Sequence, residues 1–181
     1  MPTPGSDSPQ HRIFAMLDVD GDGVITYAEY LERVDRVALA MGRAADQPVV
    51  ASARAAHDAV FADMDADHDG RVTFEEYRTW VGHESFERFC RRALGSLFDI
   101  ADTDADGCLD RDEFTRMRTA AGNGEADAGT AFDALDADCD GLIDRDTYLA
   151  GIRDFVITGS SPMAAAYGTG RPEATSEPVR N

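Results

Sequence analysis

Apolar side chains recur along this chain at helical spacing, in runs separated by short polar stretches dense in aspartate. Near the start, Ser8 is placed to cap a helix and Pro9 suits its first turn, while Ile13, Phe14 and Leu17 share one face. A second helical pattern runs through Tyr27, Tyr30, Leu31, Val34, Val37 and Met41 and stops at about Gly42. Asp46 and Pro48 open a third, carried by Val49, Val50, Ala53, Ala56, Val60 and Phe61. The same reading predicts helices over 74–81, 84–100, 111–121, 126–135 and 145–157, eight in all, with Trp80 and the helically spaced phenylalanines in the core.

The polar stretches between these helices are copies of one unit. FAMLDVDGDGVITYAEY from Phe14, FADMDADHDGRVTFEEY from Phe61, FDIADTDADGCLDRDEF from Phe98 and FDALDADCDGLIDRDTY from Phe132 align without a gap. Each carries Phe four residues before a D-x-D-x-D-G loop, an aliphatic residue two after the glycine, and an aromatic after the twelfth loop position. The aliphatic residues Ile25, Val72, Leu109 and Ile143 are apolar inside polar loops, which suits loops that pair through a short β contact.

Clustered carboxylates in a tight turn are the chemistry of a hard cation. Ca²⁺ takes about six to eight oxygens at about 2.3–2.6 Å, and a twelve-residue loop supplies them from positions 1, 3, 5, 7, 9 and 12 around a glycine at 6. The first loop offers Asp18, Asp20, Asp22, the Val24 carbonyl, Thr26 and Glu29 around Gly23. The second offers Asp65, Asp67, Asp69, the Arg71 carbonyl, Thr73 and Glu76 around Gly70. The third offers Asp102, Asp104, Asp106, the Cys108 carbonyl, Asp110 and Glu113 around Gly107. Three complete copies in phase with the helix pattern are incompatible with an accidental acidic turn.

The fourth loop keeps Asp136, Asp138, Asp140, the Leu142 carbonyl and Asp144 around Gly141, but Thr147 stands where the others have glutamate. Threonine brings one neutral oxygen on a short stem, so about two of roughly seven ligands and one negative charge are lost. Asp146, one position earlier, is expected to point away. The fourth site should be weak or empty and kept for its pairing role.

Composition agrees with this chemistry. The 181-residue chain has 35 acidic against 17 basic residues, a net charge of -18, which repels nucleic acid and anionic lipid. All 17 basic residues are arginine and alanine is abundant, a texture of high-GC coding that points to a bacterial source. Cys90, Cys108 and Cys139 form no C-x-x-C pair and their number is odd, which points to reduced thiols and a cytoplasmic location. The four histidines, His11, His57, His68 and His83, show no ligand spacing, and no nucleophile and base signature anchors an enzyme reading. No apolar run reaches the length of a membrane span, and the opening MPTPGSDSPQ lacks the basic and apolar parts of an export signal.

These four units resemble EF-hands of the calmodulin superfamily. The loops begin at 18, 65, 102 and 136, intervals of 47, 37 and 34, and the wide first interval is similar to that of sarcoplasmic calcium-binding proteins and the bacterial calerythrin group, as is YLAGIRDF near the C-terminus. The resemblance covers residues 10–157. It implies a compact all-α protein with two EF-hand pairs that buffers or transports Ca²⁺ in the cytosol, the alternative being a calmodulin-like sensor that exposes a groove for a target. The chain departs from calerythrin, whose silent site is the second. The expected layout is a flexible N-terminus (1–7), a first EF-hand pair (8–82), a second pair (83–158) with the degenerate fourth unit, and a flexible tail (159–181), with docking through Met163 and Tyr167 as the alternative. Ca²⁺ is the expected cofactor, with about three tight ions. The expected state is a monomer, with no nucleic-acid or membrane partner and a protein target left open.

Overall fold

A computed structural model describes residues 8–159 and 161, apart from the side chain of Ala126. The expectations for 1–7, and for a tail that is flexible or docked through Met163 and Tyr167, lie almost wholly outside the described residues. The chain is mostly helical. Its elements run α1 (Pro9–Leu17), β1 (Val24–Thr26), α2 (Tyr27–Ala40), α3 (Pro48–Met64), β2 (Arg71–Thr73), α4 (Phe74–Trp80), α5 (His83–Ser85), a π-helical turn (Phe86–Cys90), α6 (Arg91–Ala101), β3 (Cys108–Asp110), α7 (Arg111–Ala120), α8 (Glu125–Leu135), β4 (Leu142–Asp144) and α9 (Arg145–Thr158).

Local chemistry accounts for the helix starts. Ser8 Oγ accepts from the His11 N–H, and Pro9 follows at the first helical position. Thr26, Thr73 and Asp110 each cap the helix after a loop and form a reciprocal capping box with Glu29, Glu76 and Glu113. In α9 the Asp144 side chain accepts from the Thr147 N–H without the reciprocal half. The helix expected to open at Asp46 and Pro48 begins at Pro48, with Gln47 as N-cap and no side-chain cap. A turn in which the Gln47 N–H donates to the Ala44 carbonyl sets Asp46 outside the helix.

The single helix expected over 84–100 is three successive segments instead. At Phe86–Cys90 the bonding widens, with the Arg91 N–H reaching the Phe86 carbonyl, and the chain continues as α6. Gly82, where the periodicity breaks, lies in the bend between α4 and α5.

Two antiparallel two-stranded sheets tie the loops together in pairs, β1 with β2 and β3 with β4. Ile25 stands opposite Val72 and Leu109 opposite Ile143, all at most 1% exposed. Each pair also exchanges aromatic rings. Phe14, which enters the first loop, packs on Tyr77, which leaves the second, and Phe61 packs on Tyr30, both at 5.8 Å. Phe98 meets Tyr148 at 5.7 Å and Phe132 meets Phe114 at 5.6 Å. Trp80 departs from its expected core position: it is only partly buried, because its indole N–H donates to Asp63 at 2.8 Å near the surface. Phe74 and Phe89 are likewise only partly buried.

One apolar cluster runs through the residues of all four units. α3 packs on α6 and α2 on α7. Three arginines cross between these helices to carbonyls at helix ends. Arg43 donates to the carbonyls of Ile100 (3.1 Å) and Asp102 (2.7 Å), Arg36 to that of Ala120 (3.2 Å), and Arg116 to that of Ala40. A guanidinium on a helix C-terminus satisfies orphan carbonyls and opposes the helix dipole.

Candidate metal centres

Each loop turns on its first aspartate. Asp18 accepts N–H bonds from Gly21, Asp22 and Gly23 at 2.8–3.2 Å, and Asp65, Asp102 and Asp136 accept from the residues at loop positions 5 and 6. The aspartate at position 5, Asp22, Asp69, Asp106 or Asp140, takes the N–H of position 7. These bonds bend the backbone back over the carboxylates. They also fix the position 7 residues Val24, Arg71, Cys108 and Leu142, whose carbonyls would complete the ligand set.

The glutamate at position 12 closes the loop. Glu29 Oε1 accepts from the N–H groups of Val19 (3.2 Å) and Asp20 (3.3 Å), while Oε2 takes the Thr26 N–H and hydroxyl. Glu76 takes the Thr73 N–H and hydroxyl, both at 2.8 Å. Glu113 spans its loop from Asp110 to the N–H and hydroxyl of Thr103. Burial pushes the Glu29 carboxyl up, but the bonds from Thr26, Asp20 and Val19 outweigh it and leave the group below the usual carboxylate range. The Thr73 N–H does the same for Glu76 against a smaller cost of burial. Both are held as anions. Thr147 makes no such bridge: its N–H caps on Asp144 at 2.8 Å, and Asp146 points outward at 90% side-chain exposure, 3.5 Å from Arg91.

Carboxylate oxygens gather in all four loops. Asp18, Asp20 and Asp22 bring ligand atoms within 4.8 Å of one another, as do Asp65, Asp67 and Glu76; Asp102, Asp104 and Glu113; and Asp136, Asp138 and Asp140. Oxygens on opposite sides of a Ca²⁺ ion at about 2.4 Å lie about 4.8 Å apart, so each cluster has the right size for one ion. All-oxygen donors select a hard cation over zinc or copper. Cys108 does not change that choice, because burial first and the Asp106 charge next hold its thiol above the ordinary value and keep it protonated.

Two features went unread in the sequence. Loop position 4 is left-handed in every loop, Gly21 at φ 73°, His68 at 60°, Ala105 at 61° and Cys139 at 58°. The non-glycine residues there are strained by about 1 kcal/mol each, and only the glycine at position 4 of the first loop hinted at it. The second feature is Arg71, whose guanidinium reaches across the β contact to within 3.6 Å of the Asp22 carboxylate. That cation would compete with a Ca²⁺ ion for the Asp22 carboxylate, a candidate ligand of the neighbouring loop. Arg71→Gln is expected to tighten the first site about threefold at low salt. Site-resolved titration at two ionic strengths checks it, and an unchanged first site would count against the competition.

An EF-hand domain pair model matches residues 7–82 and an EF-hand model residues 94–117, together more than half of the chain. No curated protein matches. Among solved structures, a Streptomyces coelicolor calcium-binding protein, described in the setting of prokaryotic calcium-mediated regulation, is 25% identical with a TM-score of 0.71, over 82% of this chain and 95% of that one. The calcium-loaded apo form of the Renilla muelleri coelenterazine-binding protein shares the fold at 24% identity and a TM-score of 0.63, over 88% and 93%. So does the Ca²⁺-regulated photoprotein mitrocomin from Mitrocoma cellularia, at 21% and 0.70, over 89% and 87%. Four repeated loops, three of them with a closing carboxylate, the paired β contacts and these matches lead to one conclusion: the chain belongs to the EF-hand family of calcium-binding proteins.

Proposed function

We propose that the protein is a cytosolic Ca²⁺ buffer of the calerythrin type, a binding protein and not an enzyme. The ions sit on Asp18, Asp20, Asp22, Val24 and Glu29; on Asp65, Asp67, Asp69, Arg71 and Glu76; and on Asp102, Asp104, Asp106, Cys108 and Glu113. The fourth loop, with Asp136, Asp138, Asp140 and Leu142, binds weakly. The units work as two pairs, 8–82 and 83–158, in a monomer.

The observation that carries the buffer reading is the packing of α2 on α7 and α3 on α6, cross-tied by Arg36, Arg43 and Arg116. A sensor needs a helix pair that swings open to bare an apolar groove. Here the apolar faces already cover one another. Methionine, common in adaptable target grooves, is scarce at six residues. Among the described residues no helix is long and apolar enough to cross a membrane. The sensor is the second reading, favoured by the regulatory setting described for the Streptomyces neighbour.

Dye binding separates the two. Adding Ca²⁺ to the apo protein is expected to lower ANS emission as the aromatic pairs pack inward, with no Ca²⁺-dependent capture of a basic amphipathic peptide. A rise in emission with a peptide complex that chelator dissolves would replace the buffer by the sensor.

A further inference from the structure

Two arginines are buried in the core, Arg33 on α2 and Arg118 on α7. Arg33 is 7% exposed, its Nε has no hydrogen-bond partner, and among the described residues no carboxylate pairs with it. Elsewhere arginines meet acids at the surface, as Arg54 meets Asp35, Arg111 Asp133 and Arg145 Asp99. The groups around Arg33 cannot neutralise it. Its guanidinium lies over the Tyr30 ring at 5.1 Å. Burial pushes the Tyr30 hydroxyl and the Cys90 thiol up to about 12 each. Burial and the Arg33 charge push His57 down to about 3, and its Nε2 is buried with no partner. All three are uncharged at neutral pH, so in a chain of net charge -18 this cation stands buried without a counter-charge. A guanidinium taken out of water is unfavourable unless an anion compensates it.

Arg33 lines a cavity of about 60 Å³ between helices of the first and second halves, walled by Tyr30, Trp80, Phe86, Cys90 and Ile152. That is several times the roughly 10–15 Å³ that a single water needs, so the cavity admits a small molecule. Two constraints define the occupant. The planar fork of the guanidinium matches a carboxylate through two parallel hydrogen bonds, and aromatic and aliphatic walls favour a hydrocarbon tail over a fully hydrated inorganic ion. We propose that this cavity is a second, metal-independent site that takes a short-chain monocarboxylate, with the carboxylate on Arg33 and the hydrocarbon against the Trp80 and Phe86 wall. The site lies apart from the four loops and would let a small organic acid bind alongside Ca²⁺.

Trp80 is the only tryptophan of the chain and lines the cavity, so it reports on occupancy. The Ca²⁺-loaded full chain is titrated with butyrate, n-butanol and sodium chloride while Trp80 emission and heat are followed. Butyrate is expected to give a saturable one-to-one change, and n-butanol to bind at least tenfold more weakly. Arg33→Met keeps an unbranched apolar stem and removes the charged head. It is expected to weaken butyrate at least tenfold and leave the Ca²⁺ titration unchanged, with Arg33→Lys falling between. Equal binding of the acid and the alcohol, or undiminished butyrate binding by Arg33→Met, would overturn the proposal. So would chloride producing the butyrate signal, which would reduce the site to a counter-ion pocket. Should Arg33→Met fail to fold, the comparison of acid, alcohol and salt on the unaltered protein decides the matter.

Discussion

Thr147→Glu is expected to create a tight Ca²⁺ site in the fourth loop. The rest of that loop is in place: Asp136 gathers the N–H groups of Asp140 and Gly141, and Asp136, Asp138 and Asp140 hold their oxygens within 4.8 Å. The missing part is the closing carboxylate, which in the third loop runs from Asp110 back to Thr103. A glutamate at 147 would stand three residues after the Asp144 cap, where Glu113 stands relative to Asp110, so the capping box and the bidentate ligand would arrive together. The expected gain is about two orders of magnitude in affinity, on the order of 3 kcal/mol. Glu113→Gln, which keeps the shape and removes the charge, should abolish one tight site by a similar factor. Calorimetric titration of each variant checks both, and a fourth loop left weak by Thr147→Glu would show that another part of that loop is deficient.

Removing Ca²⁺ is expected to leave the protein partly molten. Seventeen of the 35 carboxylates occupy loop positions 1, 3, 5, 9 or 12, where they repel one another without a cation. Three divalent ions bring six positive charges and change the net charge from -18 to -12. Each ion that binds only the folded state adds about 4 kcal/mol at a thousandfold excess over its dissociation constant, so three add about 12 kcal/mol, comparable to the whole stability of an ordinary domain. For a chain of this size that corresponds to a rise in melting temperature of roughly 25–50 °C. Calorimetric melting in EGTA and in Ca²⁺ measures it. Equal melting temperatures would mean that the loops are stable as empty turns.

The parts legible in the sequence are those with short-range causes. D-x-D-x-D-G followed by an aliphatic residue dictates a turn and a strand together, so the Ile25–Val72 and Leu109–Ile143 contacts could be placed before any coordinates. The threonine or aspartate at position 9 and the glutamate at 12 form a helix cap and are also the proposed ligands, which is why the helix starts after the loops fall where the spacing puts them. Longer-range features had no such signal. Nothing in helical periodicity marks the widened turn at Phe86–Cys90, or tells that Trp80 would turn its N–H to Asp63. Arg33 reads as a polar residue between Leu31 and Val34 on an amphipathic helix, yet packing among residues of both halves buries it. Arg43 reads as loop, yet it caps the end of α6 and the first residue of the third site.

The central claim is that the position 12 side chain sorts four similar loops into three that hold Ca²⁺ firmly and one that does not. Isothermal titration of the unaltered, fully decalcified protein with Ca²⁺, with and without millimolar Mg²⁺, tests it most directly. Three tight ions per chain, with a fourth that is weak or undetectable, is the predicted result; four equivalent tight ions would contradict it.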